Sequence, residues 1–165
     1  MALTIILENI FNVLKLLSVL FKTMKSKKSK KVSKVPHQYQ IEALEKALER
    51  NVILCLPTGS GKTFIAIMVM NEYAELLNRP FSHGGKRAFF LVPTKVLVGQ
   101  QANAIQADST FTVGRFSGDS KDGFGAQIDS WTKFYWNDRF EKFQVLVMTR
   151  KIFLDILNSG YISTS

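Results

Sequence analysis

Residues 52–56 are an unbroken apolar run, Val-Ile-Leu-Cys-Leu, that ends at Pro57 and leads into Thr58-Gly59-Ser60-Gly61-Lys62-Thr63. Beyond it, Phe64, Ile65, Ile67 and Met68 give an apolar body to a predicted helix of about 15 residues starting near Lys62. A short run of this kind closed by proline reads as a strand buried on both faces of a parallel sheet. Strand, glycine loop and helix in that order make an anion cradle: the two glycines let backbone N–H groups turn inward, at the positive end of the helix that follows. Pro57, Thr58, Gly59, Ser60 and Gly61 would line it. Lys62 would reach the β- and γ-phosphates of ATP, and the Thr63 hydroxyl would ligate the bridging Mg²⁺, so these two are the candidate catalytic residues. Leu56 stands where the usual pattern, G-x-x-x-x-G-K-[ST], has its first glycine. The bland alternative is a glycine turn beside an ordinary surface lysine; the strand before and the helix after weigh against it.

The alternation continues in both directions. Residues 37–50 place Ile41, Leu44, Ala47 and Leu48 on one helical face. Downstream, strands are predicted over 87–92, 111–116 and 144–148, and helices over 95–107 and 150–157, the last stopped by Gly160. Strands alternating with helices call for an α/β architecture, a parallel sheet with right-handed crossovers and helices on both faces. Residues 117–143 hold a Gly/Asp-rich loop and then an aromatic helix with Trp131, Phe134, Tyr135 and Phe140, read as core packing in preference to a stacking surface for bases.

A chain of 165 residues with 46% apolar content can bury one sizeable core. Cys55 is the single cysteine, which excludes a disulfide framework and a cysteine-rich metal site and suggests the cytosol, with the nucleus as the alternative. The net charge of +9 is mostly local: residues 22–34 carry seven lysines and no acid, and the rest is close to balance. Bulk charge therefore says little about nucleic acid. Residues 1–21 place polar positions every three or four residues among leucines and isoleucines, an amphipathic helix. It could pack on a larger protein, lie on a membrane surface or resemble a signal segment. Lysines that follow the apolar run instead of preceding it argue against a signal segment, and Glu8, Asn9 and Lys15 against a spanning helix; a packing helix is the preferred reading, and no membrane partner is expected. Residues 22–35 read as a lysine-rich solvated linker, with a nuclear-localisation or phosphate-contacting patch as alternatives.

The segment His37-Gln38-Tyr39-Gln40-Ile41-Glu42-Ala43-Leu44 resembles the Tyr-Gln stretch of superfamily 2 helicases. That resemblance implies that Gln40 reads adenine, and it accounts for a loop of the form Pro-Thr-Gly-Ser-Gly-Lys-Thr without a first glycine. Leu91-Val92-Pro93-Thr94-Lys95 running to Gln100-Gln101 is similar to the family's motif Ia, which lies along the nucleic-acid backbone. Ser117-Gly118 and Val147-Met148-Thr149 resemble its later RNA-contacting segments. Pro93, Thr94, Lys95, Gln100, Ser117, Gly118 and Thr149 are thus the candidate RNA-binding residues. The implied fold is a RecA-like P-loop domain.

Within that superfamily, Cys55 through Ala66, Gly85-Lys86-Arg87-Ala88-Phe89-Phe90-Leu91-Val92 and Ser130-Trp131-Thr132-Lys133 with Trp136-Asn137 look most like the Dicer-type double-stranded-RNA endonucleases. This resemblance covers about residues 36–163, within a partial helicase ATP-binding domain of residues 36–165. It implies ATP and Mg²⁺ as cofactors and double-stranded RNA as substrate in small-RNA processing. The rest of a parent enzyme, with a second RecA-like domain and nuclease domains, and double-stranded-RNA-binding proteins are the implied partners. A related alternative is an ATP-dependent viral-RNA sensor without nuclease activity. No Asp-Glu-x-His follows within the chain, so the expectation is a piece of a longer product or a short isoform, with weak ATP turnover and poor solubility by itself.

Overall fold

The computed structural model describes residues 5–6, 35–118 and 132–162. In chain order these form β1 (Ile5–Ile6), α1 (Gln38–Glu49), α2 (Lys62–Glu72), α3 (Ala74–Asn78), a 3₁₀ turn (Phe81–His83), β2 (Ala88–Val92), α4 (Lys95–Asp108), β3 (Val113–Phe116), α5 (Lys133–Lys142), β4 (Val145–Thr149) and α6 (Arg150–Asn158). The sheet order is β1-β2-β4-β3, with β2, β4 and β3 parallel and β1 antiparallel to β2.

β4 lies between β2 and β3 and shows why the fold closes as it does. Val145, Leu146, Val147 and Met148 are all fully buried. Because successive side chains point to opposite faces, Val145 and Val147 join one core and Leu146 and Met148 the other. The first core packs the sheet on α2 and α4 through Ile67, Val69, Met70, Val98, Ala102 and Ile105. The second packs it on α5 and α6 through Trp136, Phe140, Ile152 and Ile156. Each of the larger side chains among these contributes on the order of 1.5–3 kcal/mol by leaving water. The expected parallel sheet with helices on both faces is present.

Four expectations meet different outcomes. The predicted strand over 52–56 forms only an isolated bridge at Leu54, and Ile53 is 78% exposed. A strand exists only by pairing, and the described sheet offers this segment no ladder. The helix after the glycine loop stops at Glu72 and restarts at Ala74, because Tyr73 leaves helical geometry (φ −97°, ψ 13°) as its ring enters the core. Of the aromatic helix, Phe140 is buried and Tyr135 partly so, whereas Phe134 is 84% exposed; Trp131 lies outside the described residues. Where described, residues 1–21 are strand instead of helix: Ile5 and Ile6, β-branched, pair with Phe90 and Phe89. The remainder of 1–34, including the lysine-rich segment, lies outside the described residues.

One polar contact ties the far end of the sheet. The Glu141 carboxylate accepts hydrogen bonds from the backbone N–H groups of Phe81 (3.0 Å) and Ser82 (2.6 Å), joining α5 to the 3₁₀ turn. The bonds from Ser82 hold its pKa below the ordinary 4.5.

Candidate functional site

The glycine loop has the geometry its residue types demand. Gly59 and Gly61 take φ +83° and +77°, left-handed values that L side chains rarely adopt. Gly61 is also crowded: a Cβ there would lie 2.5 Å from Gln40 Nε2. It caps α2, whose first turn begins at Lys62 and leaves N–H groups directed back at the loop. The Lys62 ammonium folds over the loop and donates to the carbonyls of Leu56 (2.8 Å) and Pro57 (2.7 Å). The Ser60 hydroxyl donates to the Pro57 carbonyl at 2.8 Å.

α1 braces this loop from beneath. Gln40, only 4% exposed, donates from Nε2 to the Ser60 carbonyl (3.1 Å), while its Oε1 accepts from the His37 N–H (3.0 Å). The Tyr39 hydroxyl donates to the same Ser60 carbonyl at 2.7 Å. The candidate adenine reader is therefore placed against the glycine loop, with both ends of its amide engaged. Two residues outside the predicted set also belong to the site. Gln101 accepts a 2.7 Å hydrogen bond from the Thr63 hydroxyl across a sequence separation of 38, and Tyr39 shares Ser60 with Gln40. Both lie in the stretches that carry the family resemblance, but their contacts have no local signal, since each depends on how α4 and α1 dock against α2 and its loop.

The loop fits a nucleotide's phosphate tail: it has two left-handed glycines, an ammonium at its mouth and a helix start beneath. Thr63 is placed one residue into that helix and could ligate Mg²⁺ by exchanging its bond to Gln101. Among the described residues no group of three or more His, Cys, Asp or Glu could hold a metal. A cation here would depend on phosphate oxygens and Thr63.

The candidate RNA residues follow the carboxyl ends of parallel strands. Pro93 and Thr94 follow β2, Ser117 and Gly118 follow β3, and Thr149 closes β4, so common strand polarity brings them to one rim of the sheet. The Lys95 side chain reaches Gly118, where a Cβ would sit 3.6 Å from its Cε. The Thr94 hydroxyl caps α4 by accepting from the Leu97 N–H (3.4 Å), and Thr149 is the N-cap residue of α6. Gln100 is exposed on α4, while its neighbour Gln101 turns to the glycine loop.

Comparison with known proteins gives this arrangement a setting. Residues 37–164 match the DEAD/DEAH box helicase family. The chain is 42% identical over 131 residues to endoribonuclease Dicer of Gallus gallus, covering 79% of this chain and 6% of that protein. It is 43% identical over 127 residues to endoribonuclease Dicer homolog 2 of Arabidopsis thaliana, covering 77% of this chain and 8% of the relative. Among solved structures, a nuclease-deletion mutant of the Type ISP restriction-modification enzyme LlaGI, in complex with a DNA substrate mimic, superposes with a TM-score of 0.53. Identity there is 22%, over 76% of this chain and 14% of that one, a likeness of fold. The fold is RecA-like.

Proposed function

Because the chain belongs to the DEAD/DEAH box helicase family, we propose that it binds Mg-ATP in the loop spanning residues 57–63, within the helicase region of a Dicer-like double-stranded-RNA endoribonuclease of small-RNA pathways. The observation that carries this reading is the loop itself: Gly59 and Gly61 in left-handed geometry, with the Lys62 ammonium held at its mouth. Identity of 41–43% to Dicer proteins of vertebrates and a plant supports the narrower assignment. The chain spans under a tenth of those relatives' length, so cleavage, product length and partner proteins belong to the proposal for the parent enzyme.

In this reading the main chain and Lys62 bind the phosphates, Thr63 holds the metal, and Gln40 couples the loop to the adenine side. Mg²⁺ would neutralise charge developing on the transferred phosphoryl group. Pro93, Thr94, Lys95, Gln100, Ser117, Gly118 and Thr149 would follow the RNA backbone along the shared rim. Such contacts weaken with salt and do not discriminate sequence.

The test is calorimetry with Mg-ATP on a chain continued through the second RecA-like domain. Lys62→Ala should lower affinity by about tenfold or more, since a charge-assisted contact is lost. Gln40→Ala should erode preference for ATP over the other nucleoside triphosphates. Unchanged affinity in Lys62→Ala would remove the assignment.

A further inference from the structure

β3 ends the sheet, and among the described residues no strand runs along its outer side. An edge strand presents unpaired N–H and C=O groups on alternate residues. Around this edge is a cavity of about 400 Å³ whose lining comes from both faces of the sheet. Val113 and Arg115 contribute from the α4 face, and Phe116, Tyr135, Arg139 and Phe143 from the α5 face. A lining drawn from both faces places this space along the rim of β3. Val113 opens β3, Phe116 closes it and Phe143 precedes β4, so the cavity follows the length of this edge strand.

The charges around it are unbalanced. Among the described residues, Arg115, Arg139 and Lys142 line it without an acidic side chain. Arg115 is anchored on α4 by donating to Asn103 Oδ1 (2.6 Å). The Arg139 guanidinium lies 4.8 Å above the Tyr135 ring, and among the described residues its buried Nε has no hydrogen-bond partner. A carboxylate oxygen of Asp138 is 3.8 Å away, too long for a hydrogen bond. Glu141, on the same helix, is turned to Phe81 and Ser82. A buried guanidinium N–H left unmatched is costly, and a carboxylate is its natural acceptor.

We propose that the rim of β3 is a docking site for an extended acidic peptide segment, which adds a strand to the sheet and places carboxylates on Arg115, Arg139 and Lys142. The distribution of cations favours a strand over a compact anion. Arg115 is on one face of the sheet, and Arg139 and Lys142 are on the other. Successive side chains of an added strand point to opposite faces, so two adjacent acidic residues would meet both sets at once. Val113, Phe116 and Phe143 would receive the apolar side chains between them.

The probe is a fluorescein-labelled octapeptide, Thr-Val-Glu-Glu-Val-Glu-Val-Thr, titrated into the full chain while amide exchange is followed. Saturable binding should occur, and exchange should slow at residues 113–116. Arg115→Glu and Lys142→Glu, both at exposed positions, should each weaken it about tenfold with an unchanged circular dichroism spectrum. Arg139→Lys, which keeps the charge but not the fork, should weaken it less. Peptides with lysine for glutamate, or proline for valine, should not bind. The proposal is overturned if the proline peptide binds equally, if the charge reversals leave affinity unchanged, or if inorganic phosphate displaces the peptide stoichiometrically. Mg-ATP affinity reads the glycine loop separately and should not change in these variants.

Discussion

Gly59 and Gly61 are two residues apart in one loop, yet they answer to different constraints. Both adopt left-handed backbone, for which a side chain costs roughly 1–2 kcal/mol. Only at Gly61 would a Cβ also strike a neighbour, Gln40 Nε2. Gly61→Ala should therefore destabilise the fold by more than Gly59→Ala, and it should also loosen the Gln40–Ser60 bond. Thermal unfolding of the two variants checks the order, and equal losses would mean that Gln40 is not a brace. The loop was legible in the sequence because its residue types are dictated locally. Gln101 was not, because its bond to Thr63 depends on docking between helices far apart in the chain.

At the scale of elements, the strands β2, β3 and β4 and the helices α4 and α6 fall within a residue or two of the spans that periodicity predicts. Residues 52–56 share the same β-branched composition but do not form a strand, since composition specifies a willingness to pair and not a partner. The break at Tyr73 carries no glycine or proline to announce it. The join between α5 and the 3₁₀ turn depends on Glu141, whose folded pKa is lowered by its bonds to Ser82. A lowered carboxylate pKa contributes stability that is present above the unfolded value of about 4.5 and is lost as pH falls through the folded value. Glu141→Gln should remove that share of acid sensitivity below about pH 4.5. Acid titration of the wild type and variant by circular dichroism checks it; superimposable curves would separate Glu141 from the stability of this join.

Taken whole, the molecule exposes several large apolar side chains, Ile53, Val96 and Phe134 among them. A β-prone segment at 52–56 that pairs only through the bridge at Leu54 and exposes Ile53 is a template for pairing with another chain. Ile53→Thr should raise the concentration at which the chain stays monomeric in sedimentation velocity, leaving secondary structure unchanged. If association persists undiminished, the source lies elsewhere on the surface. Meanwhile the four consecutive residues at the heart of β4 meet no solvent, while most candidate ligand contacts sit in loops and helix starts outside the sheet's interior. Variation in the sheet's interior should accordingly change how much working protein a cell can hold, and variation along its rim should change what that protein prefers.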